Sequence, residues 1–297
     1  MHEKEAKSIL SPQNGMNIYR GCTHGCIYCD SRSTCYRMKF DFEDVEVKTN
    51  APMLLEKTLR TKRRRCMIST GSMSDPYMPL EKELGLTRKC LELIRYYGYG
   101  LSIQTKSDLV LRDLDLLKGI NEKAKCIVQM TMTTYDENLC KVLEPNVCTT
   151  KRRAEVLNIL REEGIQTIVW MTPILPFIND TEENLYGLLS YCKEAKTYGI
   201  IYGNMGLTLR NGDRQYYYKK LLEYFPGLIT KYMDLYGEEY DVLPENSEKL
   251  RAILKEECDK NGILCDQEKL FTYMRAFEDK LAGKQMEMRF DANMAWY

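Results

Sequence analysis

An α/β fold is predicted for this sequence, specifically a partial (β/α)6 TIM-like barrel with a helical C-terminal extension, and three observations predict it. Short apolar runs rich in Ile, Val, Met, Tyr and Thr alternate with longer amphipathic stretches from about residue 16 to 207. Those runs show little polar alternation, as strands covered on both faces do. After residue 208 the strand signal fades and helical periodicity takes over. Repeated strand–helix units imply a parallel sheet with right-handed crossovers. Six strands suit an open barrel, and a doubly wound sheet is the alternative that periodicity does not separate from it.

In order, the expected strands are GMNIYRG (15–21), CMISTG (66–71), GLSIQTK (100–106), CIVQMTM (126–132), TIVWMTP (167–173) and IIYGNMGL (200–207). Helices are expected near 51–64, 87–97, 109–120, 150–163 and 182–197. Thr149 or Thr150 is placed to cap the fourth, and Thr181, followed by Glu182 and Glu183, the fifth. The segments 212–236, 245–261 and 266–282 read as further helices. No low-complexity linker or internal repeat interrupts the chain. The expected division is therefore a barrel over 1–210 and a helical extension over 211–297 packed on it.

The 43 basic and 43 acidic residues cancel, so no global field draws the chain to nucleic acid or an anionic membrane. The first residues, MHEKEAKSIL, lack the apolar core of a signal peptide. The most apolar stretch, 167–178, is too short to span a bilayer and contains Pro173 and Pro176. A soluble cytoplasmic protein with no membrane partner is expected. Its 12 cysteines then read as thiols, metal ligands or core residues rather than as a disulfide framework.

Only Cys22, Cys26 and Cys29 have tight metal-type spacing, C-x3-C-x2-C. Iron–sulfur clusters are held by cysteine thiolates, and a complete 4Fe–4S site uses four. Three on one short loop leave one iron open, as catalytic metals keep a vacant position. Gly21 and Gly25 let the backbone curl around such a group. The competing reading is a zinc site with Cys35 or His24 as the fourth ligand. Structural zinc usually draws ligand pairs from two separated knuckles, and no second C-x2-C occurs.

Five ordered motifs extend that reading: NIYRGCTHGCIYCD (17–30), TGSMSDPYMPLEKELGLTR (70–88), QTKSD (104–108), LEPNVCTTKRR (143–153) and MTPILPFIND (171–180). With them the sequence resembles the radical S-adenosylmethionine (SAM) superfamily, and within it the group related to spore photoproduct lyase, over about residues 12–235. The resemblance implies a 4Fe–4S cluster on Cys22, Cys26 and Cys29 and SAM at its open iron. Reductive cleavage of SAM to a 5′-deoxyadenosyl radical and hydrogen abstraction from an unknown substrate follow from it. It also implies an external electron donor such as flavodoxin or ferredoxin, and leaves nucleic acid open as a partner. Tyr28 would bring its backbone to the adenine, and Ser72, Ser74 and Asp75 short polar groups to the SAM amino end. Lys106 would reach the SAM carboxylate, and Thr131, Glu144 and Arg153 would add contacts. Lys106, Thr131 and Pro173 fall at strand C-termini, where barrels bind ligands.

Two positions depart from that group. Asp30 follows the third cysteine where Tyr or a similar residue is usual, and Ser72 replaces the cysteine that returns a hydrogen atom in the lyase. A serine O–H bond is much stronger than a thiol S–H bond, so Ser72 does not perform that step. Elsewhere KTLRTKRRRC (57–66) reads either as a nucleic-acid patch or as the solvated end of a helix. Cys258 and Cys265 are open as auxiliary-cluster ligands, together with Cys35 or Cys148. Cys35 reads as a hydrogen donor or a spectator, Tyr216 to Tyr218 as a half-buried helix face, and His24 as a loop residue.

Overall fold

The computed structural model describes residues 1–282. Its strands are β1 (His2–Lys4), β2 (Gly15–Met16), β3 (Tyr19–Arg20), β4 (Glu46–Lys48), β5 (Met67–Thr70), β6 (Gly100–Thr105), β7 (Cys126–Thr131), β8 (Gln166–Trp170), β9 (Gly199–Ile201), β10 (Leu207–Thr208) and β11 (Asp241–Val242). Its α-helices are α1 (Ala51–Thr61), α2 (Glu81–Leu84), α3 (Leu86–Tyr97), α4 (Leu114–Lys123), α5 (Glu137–Leu143), α6 (Thr150–Glu162), α7 (Glu182–Glu194), α8 (Asp213–Tyr224), α9 (Ile229–Tyr236), α10 (Ser247–Asn261) and α11 (Gln267–Arg275).

Strands β2, β5, β6, β7, β8 and β9 form one sheet in that order, with every neighbouring pair parallel. Each step along it is spanned by at least one helix, which is the open (β/α)6 arrangement expected. Strand alternation sends side chains to two separate cores. Ile68, Leu101, Ile103, Val128, Met130, Val169 and Ile200 pack outward among Leu55, Leu91, Leu117, Leu157 and Leu188 of the crossover helices. Met67, Ile127, Ile168 and Ile201 point inward and meet Leu270 and Met274 of α11. The last described helix thus fills the interior of the half-barrel. A side chain at Gly199 would collide with Leu270 Cδ2 at 2.3 Å, so glycine admits α11 to that depth. Leu264, just before α11, extends the sheet beyond β9. Its N–H donates to the Tyr198 carbonyl at 3.1 Å, and its carbonyl accepts from Ile200 N–H at 2.9 Å.

Several boundaries differ from expectation for physical reasons. The run 15–21 is two strands: β2 joins the main sheet, then the chain turns so that β3 pairs antiparallel with β4 in a separate three-stranded sheet with β1. Tyr19 is drawn into that course by a hydrogen bond to buried Glu81. The run 200–207 also splits, because the chain takes positive φ at Gly203 (57°) and Met205 (57°). Its end, β10, pairs antiparallel with β11, so strand structure does not stop at 208. The helix expected at 109–120 starts as a 3-10 turn, Asp108–Asp113, before α4. That expected at 212–236 is broken at Pro226 into α8 and α9, and that expected at 266–282 ends at Arg275. Of the expected extension, residues 283–297 lie outside the described residues. Thr181 caps α7 by accepting from Asn184 N–H, whereas Thr149 precedes α6 but gives its hydroxyl to Glu137.

Candidate active site

The three spaced cysteines lie on the loop between β3 and the 3-10 turn Asp30–Arg32. Gly21 and Gly25 hold φ of 90° and 74°, as expected where this loop curls. Two neighbouring segments clamp the loop. Cys22 N–H donates to Phe42 O, Ile27 N–H donates to Leu143 O, and Asn146 N–H donates to His24 O, at 3.0, 3.0 and 3.1 Å. Asn146 Nδ2 adds a bond to Thr23 O at 2.9 Å.

Cys22, Cys26 and Cys29 face one cavity of about 600 Å³. Lys106, Thr131 and Trp170 also line it and stand at or just past the ends of β6, β7 and β8, so it opens at the C-terminal edge of the sheet. Tyr28, Ser72, Ser74 and Asp75 line it too. Glu144 and Arg153 do not: they lie behind the wall, 1% and 0% exposed, paired with each other. Glu144 accepts from the Tyr28 hydroxyl, and Arg153 donates to Thr131 O at 2.9 Å. The floor is Trp170, whose indole N–H donates to Gln129 Oε1 at 2.7 Å while Gln129 Nε2 donates to Ser102 Oγ at 2.8 Å. Its ring meets Phe271 of α11 edge-on at 6.0 Å.

Charge is distributed unevenly around the thiols. Burial, then Asp75, pushes the Cys22 thiol up to about 12, against backbone N–H groups of His24 and Asp75 that favour its thiolate. Burial raises Cys26 and Cys29 as well, with the Lys106 ammonium opposing it at both. Burial works against the charge of Lys106, but Cys26, Glu144, Cys29 and Asp75 outweigh it and hold the ammonium above its usual range. Its Nζ stands 5.9 Å over the Tyr28 ring, and among the described residues it makes no ion pair. Burial keeps His24 below the ordinary histidine value although its Nδ1 is 3.4 Å from Asp75 Oδ2.

This donor set fits an iron–sulfur cluster. Three thiols, two buried and one half-buried, hold their protons until a cation arrives to stabilise the thiolates. Among the described residues no three His, Cys, Asp or Glu side chains close tightly enough on one point for a single metal ion. A four-iron cube needs no such convergence, because each thiolate takes a different iron.

His24 is the residue that sequence reasoning undervalued: it is buried in the cavity wall rather than being a mere loop position. Trp170 and Gln104 also line the cavity and carried no sequence signal of their own. Cys35 is exposed on the next 3-10 turn, where its sulfur accepts from Ser33 Oγ at 3.2 Å, and it does not line the cavity. Cys258 is buried in α10, and Cys265 packs against the same core cluster. Arg63 and Arg64 are exposed beyond α1, and Arg65 pairs with Asp279 at 2.7 Å. Among the described residues no helix is long and apolar enough to cross a membrane.

The model of the Radical SAM superfamily matches residues 16–189. An uncharacterized protein of Mycobacterium tuberculosis is 31% identical over 80% of this chain and 71% of its own length. One of Methanocaldococcus jannaschii is 37% identical over 56% of this chain and 62% of its own. Among solved structures, a spore photoproduct lyase complexed with dinucleoside spore photoproduct superposes with a TM-score of 0.63 at 14% identity, covering 87% of this chain and 78% of that one. A point mutant of spore photoproduct lyase gives 0.60 at 15% identity over 86% and 76%. At such identity the likeness is one of fold.

Proposed function

Because the chain belongs to the radical SAM superfamily, we propose that it is an enzyme that holds a 4Fe–4S cluster on Cys22, Cys26 and Cys29, binds SAM there, and abstracts hydrogen from a substrate still to be identified. The observation that carries this reading is the meeting, in one cavity at the strand ends, of three thiols and an ammonium that makes no ion pair among the described residues. When bound and reduced, the cluster and SAM supply a 5′-deoxyadenosyl radical.

The chain's own residues bind and orient. Lys106 offers its ammonium to the SAM carboxylate, a partner that offsets the desolvation of this half-buried cation. Ser72 and Ser74 offer hydroxyls to the amino end, and Tyr28 and Thr131 border the adenosine. Glu144 and Arg153 support those two residues from behind, through the Tyr28 hydroxyl and the Thr131 carbonyl. Below, Trp170 and α11 close the floor against water. Electrons come from an external donor of the flavodoxin or ferredoxin class, and a cytoplasmic setting suits such a partner. Nucleic acid remains an alternative substrate class by analogy of fold alone. The Ser72 hydroxyl argues against repair by a thiol hydrogen donor at that position.

The test is anaerobic purification and cluster loading. About three to four irons per chain are expected from the three-thiolate rule, with 5′-deoxyadenosine formed on adding SAM and dithionite. The reading is abandoned if no 5′-deoxyadenosine forms and Cys26→Ala has the same iron content and absorption as the unaltered protein.

A further inference from the structure

Both oxygens of the Asp75 carboxylate are engaged by donors of this chain. Oδ1 accepts from Tyr77 N–H at 2.8 Å and from the Thr105 hydroxyl at 2.7 Å. Oδ2 accepts from Lys106 N–H at 2.8 Å and faces His24 Nδ1 at 3.4 Å. A carboxylate has about four lone-pair sites; three donors of this chain fill sites on this one, and the His24 ring stands close beside it. They come from three places: the turn after β5, the end of β6 and the cysteine loop. The side chain is 9% exposed, so little of it is left to meet a ligand.

We propose that Asp75 is a positioning residue, a bracket that fixes Lys106 and the cysteine loop relative to each other and acts on SAM through Lys106 without touching it. The inference rests on the cluster reading above and goes beyond it, because the resemblance assigns Asp75 a direct contact with SAM. The joint is short. Asp75 holds the backbone of Lys106, while His24, two residues after Cys22, approaches the same oxygen. A shift of the turn after β5 would therefore move the SAM-binding cation and the cluster together. The bracket also polarises the site, with a carboxylate beside Cys22 and an ammonium beside Cys26 and Cys29. A fixed negative charge next to one iron opposes the arrival of an electron.

The experiment uses the cluster-loaded full chain with Asp75→Asn, Lys106→Met and the double variant, and reads iron content, the cluster midpoint potential by EPR before SAM is added, and SAM affinity. Asp75→Asn should retain iron, raise the SAM-free midpoint potential and weaken SAM binding about tenfold, as second-layer partners of metal sites do. In the Lys106→Met background the same change should alter SAM affinity by no more than about twofold, since both act on one interaction. If the two losses multiply and the SAM-free potential is unmoved, Asp75 is a direct ligand and the proposal is wrong. Should Asp75→Asn not fold, Thr105→Val removes one donor but keeps the carboxylate charge, and is expected to weaken SAM binding by less than Asp75→Asn without raising the potential. A wild-type SAM affinity for Thr105→Val would overturn the bracket. An unaltered chain that binds iron but shows no cluster EPR signal after full reduction would overturn the cluster reading, and the bracket with it.

Discussion

Glu144 and Arg153 illustrate how one residue's burial dictates its chemistry. With exposures of 1% and 0%, neither ion is tolerable alone, and each is the other's counter-charge. Arg153, then Lys106, keep the Glu144 carboxyl below its usual range despite its burial. Glu144→Gln strands the guanidinium, and such a loss typically costs about 3–5 kcal/mol. Chemical denaturation should show that drop; a change below about 1 kcal/mol would mean that the pair is solvated. Asp213 behaves in the opposite way. Burial raises it from 3.8 to about 6, and its Oδ2 is buried without a partner among the described residues. The folded state therefore holds this proton more tightly than the unfolded chain does. Its contribution is most favourable below pH 3.8 and is lost as the pH rises through about 6. Asp213→Asn should remove that decline from the stability-versus-pH curve between those values, and an unchanged difference between the two curves would exclude the assignment.

At the scale of elements, β6, β7 and β8 were legible because both faces are largely buried, which makes each run rich in Leu, Ile, Val or Met on both faces. The run 15–21 misled because periodicity records that a residue is buried, not which sheet buries it, and Met16 and Tyr19 belong to different sheets. Helix α5 went unseen: seven residues give too few turns for an amphipathic stripe to register. The cysteines were legible from spacing, since all three lie within eight residues. The partners of Asp75 were not, because Thr105 and His24 are brought to it only by the sheet and the loop clamp. Helix α11 read as a helix, but its place inside the barrel did not. That place gives a prediction: Leu270 is wholly buried against β-strand residues of the inner face. Leu270→Ala should cost about 2–5 kcal/mol, the range for a large-to-small change in a core. A surface helix would lose far less, so thermal and denaturant unfolding decide between the two placements.

Across the whole molecule the cysteine loop is held differently from the sheet beneath it. Strands β6 to β8 are locked by parallel ladders on both sides and by cores on both faces. The loop hangs on a few backbone bonds to Phe42, Leu143 and Asn146, with three thiols turned to a cavity. A ligand that binds only the folded state adds stability by mass action, and a metal group on three thiolates adds it where those thiolates are. If the loop holds the proposed cluster, removing its iron with a chelator should therefore lower the unfolding temperature and raise amide exchange chiefly over residues 21–32 and 143–148, leaving β6 to β8 protected. The second span responds because Asn146 and Leu143 are the loop's own tethers. Cys26→Ala should mimic the iron-free protein in both measurements and be insensitive to chelation. Uniform exchange along the chain after iron removal would show instead that the loop and barrel open as one cooperative unit.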